Sequence, residues 1–436
     1  MDPTNLKKTG FASLSTMADA MAGFLARVQP AGATEEVHID ASLGRVLAEA
    51  ICARWPVPSY DKSAMDGYAI QATDSFGASV QKPCVLRLGG GIVIGDEPAM
   101  AVSRGVAIKI ATGAMIPPGA DAVIKIEDTE LDTDGTTIRL YKQVAPGGNI
   151  IRSGEDYKEG HLVLPAGRKI RPQDVGVLAT LGMTRIKVIT RPVVAVFATG
   201  NELVELDGLH HDTAGLVDPR TAGRCKMVDS NRHAIGAFVS IAGGVVTRAQ
   251  ILVDDERAIS DAIISALTAC DMVITTGGTS VGERDFIPSV IGKDHEILYH
   301  GIAMKPGAAT LLGTGQGKPI LGLSGFPVAA EIGMLYFGMP AIRKLAGEMV
   351  LDPRVRVRAR LADAVAVKGF GITRLLRVEL DHDTSTENDL PRAIPVKLSG
   401  AGMQRSMVES DGFIEIPPDI EGYEAGDDVV VVLHPC

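Results

Sequence analysis

The sequence predicts a multi-domain α/β-plus-β chain: a central parallel α/β sheet domain, an inserted β domain, a helical linker domain and a C-terminal β domain. Three observations predict it. The chain has 436 residues, room for roughly two to four domains. It is 46% hydrophobic but only 4% aromatic, so it can build a large core that must be aliphatic. Its hydrophobic texture also changes from one part of the chain to the next.

The first texture is helical. Ser15 and Thr16 precede Met17, Met21, Phe24, Leu25 and Val28, an amphipathic spacing behind a cap. "RPQDVGVLATLGM" signals a second helix, with Pro172 near its first turn. Between them "CVLRL", "GVAIKI", "DAVIKIED" and "TTIRLYK" are short β-like runs separated by Gly, Pro and Asp. We expect a linker domain at 12–51 and 150–188, interrupted by a β domain at 52–149.

Beyond Arg191, "PVVAVFATGNE", "MVITTGG" and "KPILGLSGFP" are continuous apolar runs that end in glycine turns. "DDERAISDAIISALTACD" has helical spacing through Ile259, Ile263 and Leu267, and a further helix is expected over 328–345. This alternation predicts a parallel sheet covered on both faces, at 189–347. In 348–436 the runs "RVRARL", "TRLLRVEL", "AIPVKL", "GFIEI" and "DDVVVVL" are short again and predict a barrel or a sandwich, with "TSTENDLPR" as a loop.

Composition excludes several classes. A net charge of −10 argues against a general nucleic-acid binder. Cys52, Cys84, Cys225, Cys270 and Cys436 are scattered without a CxxC pair, which predicts reduced thiols in a cytosolic protein and no structural zinc. The N-terminus lacks the apolar core of a signal peptide. The apolar stretch 319–342 holds three prolines and is split by Glu331, so it reads as a buried strand, turn and helix rather than a membrane span.

Open parallel sheets bind ligands beyond the carboxyl ends of their strands. Three such ends carry glycine turns: Thr199-Gly200-Asn201-Glu202, Thr276-Gly277-Gly278-Thr279-Ser280 and Ser324-Gly325-Phe326-Pro327. Glycine allows close backbone approach, and amides freed at such turns form an anion nest. Neither a Walker A loop nor a GxGxxG fingerprint is present at these turns. Glu202, Asp254, Asp255, Glu283 and Asp285 lie near the same strand ends. Carboxylates tolerate phosphate when a hard divalent cation such as Mg²⁺ lies between them. The competing reading is solvated acids and helix caps, strongest for Asp254 or Asp255 alone. Lys305 in "GIAMKPGAAT" supplies a point charge suited to phosphate or an oxoanion. In the inserted domain Asp66-Gly67, Thr112-Gly113 and the Arg152, Glu155 and Asp156 stretch read singly as turn residues. Such an acidic cluster would also suit the α/β site of another subunit.

Taken in order, "DKSAMDGYA", "ATGAMIPPGADAV", "RSGED", "TTGGTSVGERD", "KPG" and "SDGFIEIP" resemble the molybdopterin molybdenumtransferases, the MoeA and gephyrin E-domain family, over nearly the whole chain. The resemblance implies an elongated helical domain, a sheet domain similar to the molybdopterin adenylyltransferases, and a C-terminal β-barrel. It implies a homodimer with its active site between the α/β domain of one subunit and the inserted domain of the other. The implied reaction takes adenylylated molybdopterin and molybdate, places the metal at the dithiolene and hydrolyses the adenylate to AMP, assisted by Mg²⁺. Implied partners are a molybdopterin adenylyltransferase and molybdoenzyme targets, with no nucleic acid and no membrane. Carried over by motif, the catalytic residues are Asp66, Asp156, Glu202, Asp285 and Lys305. Thr112, Gly277, Gly278, Thr279, Ser280, Ser324, Gly325 and Pro327 would hold the pterin nucleotide. Asp285 and Glu202, with Asp254 and Asp255 as weaker matches, would hold the metal.

The chain departs from the family pattern at three ligand turns. Lys-Pro-Gly-Lys-Pro is here Lys305-Pro306-Gly307-Ala308-Ala309, Pro-Gly-Asn-Pro is Ser324-Gly325-Phe326-Pro327, and Thr-Gly-Asp-Glu is Thr199-Gly200-Asn201-Glu202. Losing one charge-assisted contact costs about 1.5–3 kcal/mol, roughly tenfold or more in affinity. The departures therefore suggest, as alternatives, a divergent pterin-binding or scaffold paralogue without normal metal insertion, or a transferase that prefers tungstate.

Overall fold

The computed structural model describes residues 13–207, 209, 218, 223, 225–280, 285–367, 370–381, 390–396 and 400–435. Glu283, Cys436 and most of the "TSTENDLPR" loop lie outside the described residues. The helix Met17–Arg27 is capped by Thr16, whose side chain accepts from the Asp19 amide at 3.1 Å. Its buried Ala20 and Phe24 join the core of the α/β sheet. The linker region itself has little helix. Strands Thr34–His38 and Val46–Leu47 flank Arg185–Ile189 in a three-stranded sheet, and Pro172–Thr180 is the α-helix that accompanies that sheet, Met17–Arg27 having packed on the α/β core instead.

The four β-like runs of 52–149 become strands of one six-stranded sheet, in the order Ala122–Lys125, Gly67–Ile70, Val106–Ile110, Cys84–Ile92, Thr137–Leu140, Thr129–Leu131. Gly67 is required there, because a Cβ would fall 1.9 Å from the Ile124 carbonyl oxygen of the adjacent strand.

The α/β sheet has the order Val245–Leu252, Val193–Thr199, Met272–Thr276, Lys318–Leu323, Leu311–Gly315, Glu296–His300. The first four strands are parallel. The last two run antiparallel, so the sheet is mixed rather than wholly parallel. The cause is local: Gln316 and Gly317 both adopt positive φ and close a tight hairpin where a crossover helix would be needed for a parallel step. Alternation along each strand feeds two layers. Val194, Val196 and Ile274 pack under Asn231–Ile241 and the 327–345 helical segment. Ala195, Phe197 and Val273 pack under Glu256–Ala269 and Phe286–Asp294. The 319–342 stretch is a buried strand, a turn and a helix, and no described helix is long and apolar enough to cross a membrane.

At the C-terminus five strands close on themselves: Thr373–Asp381, Arg392–Pro395, Arg356–Leu361, Asp428–Leu433, Gly412–Ile416 and back to Thr373–Asp381. Of the barrel and the sandwich, the barrel forms. Strand Met304–Lys305 of the α/β region pairs with Thr373–Asp381 and joins the two.

Candidate functional site

The three glycine turns converge. With residues of the barrel they line one cavity of about 1510 Å³ at the carboxyl ends of the parallel strands. Gly277 and Gly278 have φ of 92° and 60°. A Cβ on Gly277 would sit 2.5 Å from the Thr199 carbonyl oxygen, so only glycine lets the two turns touch. The Thr199 Oγ1 beside them is buried and has no hydrogen-bond partner among the described residues. Asn231 ties two turns together, donating from Nδ2 to Thr276 Oγ1 and to the Gly325 carbonyl, both at 2.9 Å. Thr279 is buried and donates its hydroxyl to the Leu323 carbonyl at 3.2 Å, so it braces the turn, while Ser280 is exposed.

The acids divide. Glu202, Asp254 and Asp285 line the cavity. The Glu202 carboxylate folds back over Gly200, where an added Cβ would lie 2.6 Å from Oε1. Asn201 and Asp254 exchange side-chain and backbone hydrogen bonds of 3.1 and 3.2 Å, giving the Asn201 departure a structural task. Asp255 does not line the cavity. Its side chain accepts from the Ala258 amide at 2.8 Å and caps Glu256–Ala269, as the competing cap reading anticipated. No group of three or more Asp, Glu, His or Cys close enough to hold a metal ion is found among the described residues. The cavity carboxylates are hard oxygen donors, which suits a Mg²⁺ held by one or two protein carboxylates together with substrate phosphate.

Lys305 is exposed at the cavity, and Ser324, Gly325 and Pro327 line it as well. Lys305 stands in register with Arg374 of the barrel across the Met304–Lys305 ladder. Arg374 and the buried Arg377, whose pKa burial pushes below the usual arginine value, also line the cavity. Sequence reasoning missed both arginines, along with Asn231 and the 400–402 segment. They come from distant parts of the chain, and nothing in their local sequence marks them.

Asp66, Thr112 and Asp156 do not line this cavity. Thr112 donates to Asp66 Oδ1 from its amide at 2.7 Å and its hydroxyl at 3.1 Å. These donors, the amide first, hold the Asp66 carboxyl below its ordinary pKa. Asp156 is exposed and follows, a few residues on, the two donors to a second anchored acid: Asp61 accepts from Ser153 N at 2.8 Å and Arg152 Nη1 at 2.6 Å.

Three family models match in chain order. They are described as the MoeA N-terminal region (domain I and II) over 15–182, a probable molybdopterin binding domain over 195–344, and the MoeA C-terminal region (domain IV) over 358–434. The molybdopterin molybdenumtransferase of Staphylococcus epidermidis is 33% identical over 399 residues, 91% of this chain and 90% of that protein. The chain belongs to the MoeA family. The Staphylococcus aureus molybdopterin molybdenumtransferase is 32% identical over 91% of the chain and 90% of that protein. The crystal structure of the moeA protein from Pyrococcus horikoshii matches with a TM-score of 0.81 at 31% identity, covering 97% of this chain and all of that one. This MoeA chain is thus a transferase of molybdenum cofactor biosynthesis. Ala308, where the sequence departs from the Lys-Pro-Gly-Lys-Pro pattern, lines the same cavity as Arg374, which the fold places in register with Lys305.

Proposed function

We propose that this MoeA-family chain inserts molybdate-derived metal into the dithiolene of adenylylated molybdopterin and hydrolyses the adenylate to AMP. The observation that carries the reading is the cavity itself: backbone amides, carboxylates and a Lys305–Arg374 cation pair share one concave surface. The Gly277–Gly278 turn and Ser280 contact phosphate. Lys305 and Arg374 hold the oxoanion. Glu202 and Asp285, with Asp254, would hold Mg²⁺, which when bound would neutralise phosphate charge during hydrolysis. Asp66, Thr112 and Asp156, which do not line the cavity of their own chain, would reach the cavity of a second copy in a homodimer. Asp66, kept ionised by Thr112, arrives as an anion able to accept a proton or orient water. The working units are 12–51 with 150–188, 52–149, 189–347 and 348–436. The enzyme is cytoplasmic, receives substrate from an adenylyltransferase and delivers product to molybdoenzymes.

The test incubates purified protein with adenylylated molybdopterin, Mg²⁺ and molybdate and follows AMP. Molybdate-dependent AMP release is expected. Tight pterin binding without AMP above the buffer level supports the scaffold reading instead, and faster release with tungstate supports the tungstate-preferring one.

A further inference from the structure

Phe326 is 62% exposed, the most exposed Phe, Tyr or Trp among the described residues, and it lines the ligand cavity. Most aromatic side chains in a chain this poor in them would be drawn inward. The turn that carries Phe326 is pinned through its main chain. The Phe326 amide donates to Ser324 Oγ at 3.2 Å, its carbonyl accepts from Ala330 N at 2.9 Å, and Pro327 follows it. The edge of the ring abuts the barrel segment 400–402: a Cβ on Gly402 would lie 3.4 Å from ring Cδ1. That segment is itself tied down, with Val328 N donating to the Ala401 carbonyl at 2.9 Å. The turn that carries the ring also packs on the anion-binding turn, since a Cβ on Gly325 would meet Gly277 Cα at 3.4 Å. A ligand with phosphate at Gly277–Gly278 therefore has a fixed, solvent-facing aromatic surface beside it.

We propose that Phe326 is a substrate-binding residue that stacks on a flat nitrogen heterocycle of the substrate, so that a π-face does the work of a polar side chain at this turn. The proposal rests on the cavity being the pterin-nucleotide site. A ring fixed in advance on one edge loses little freedom when a planar group stacks on it, and such stacking is tolerant of ring identity. Both the pterin and the adenine of the substrate have this chemistry.

The test uses Phe326→Trp as a fluorescent reporter, with emission from the native Trp55 subtracted and Phe76→Trp, an exposed position in the inserted domain, as control. AMP and 6-carboxypterin are titrated separately. Saturable quenching at position 326 but not at 76 by either probe is expected, and the quenching probe identifies the stacked half. No quenching by either probe, or equal quenching at 76, overturns the proposal. In turnover, Phe326→Ala and Phe326→Leu should raise KM for adenylylated molybdopterin on the order of tenfold, with kcat little changed, and Phe326→Tyr should restore it. Unchanged KM in the alanine and leucine variants, with AMP still released, overturns the stacking role and leaves the metal-transfer reading intact. Absence of AMP release from the unsubstituted protein sinks that reading, while the quenching titration still decides on Phe326.

Discussion

Lys305 and Arg374 face each other across a parallel ladder formed by strands of two different domains. Adjacent residues in such a register project to the same side of the sheet, so two cations share one wall of the cavity. Arg374→Ala should raise the molybdate concentration for half-maximal AMP release by about tenfold or more, the loss of one charge-assisted contact. Ala308→Lys in that background should recover part of the loss. Molybdate dependence unchanged by Arg374→Ala would remove the arginine from the anion site.

Two acids that each precede a helix should separate cleanly. Asp285→Ala should abolish AMP release at any Mg²⁺ concentration, because Asp285 lines the cavity. Asp255→Ala should leave turnover intact and lower the melting temperature, because removing a helix N-cap costs about 1 kcal/mol. AMP assays and thermal melts on both variants check this, and equal effects on turnover would refute the division.

At the glycine turn the two changes to make are Gly277→Ala and Thr199→Val. The first forces a side chain to φ 92° and against the Thr199 carbonyl, and should cost about 1–3 kcal/mol in backbone strain alone. The second removes a buried hydroxyl that lacks a partner, so denaturant unfolding should show unchanged or raised stability. A fall in substrate affinity in the same variant would identify that hydroxyl as a ligand contact.

Acid stability should report on Asp352. Burial pushes its carboxyl upward, but the Arg354 guanidinium, bonded at 2.7 and 3.0 Å, outweighs burial and brings it down to about 2. A lowered folded pKa means that the stabilisation is present above the ordinary value of 3.8 and is lost as pH falls through about 2. For this partly exposed pair it amounts to about 1 kcal/mol after solvent screening. Arg354 also lies 4.3 Å above the Tyr336 ring, and Tyr336 donates to Glu415 Oε1 of the barrel at 2.5 Å. Asp352→Asn should flatten the unfolding free energy between pH 4 and pH 2, measured by urea melts. An unaltered acid limb would show that the ion pair contributes nothing.

By itself the sequence determined what local rules govern. Apolar runs ending in glycine became the strands and turns at Thr199, Gly277 and Gly325, and the 319–342 stretch became a strand, a turn and a helix. These features depend on periodicity and on conformations that only certain residues adopt. Tertiary structure decided what depends on register and packing between distant segments. It gave the sheet an antiparallel edge, turned Asp255 into a cap, spent the Thr279 hydroxyl on a carbonyl and brought Arg374 beside Lys305. A strand pairing slipped by one residue would turn Arg374 away from the cavity, and register between segments about seventy residues apart is set by the core they jointly bury, which no short motif encodes.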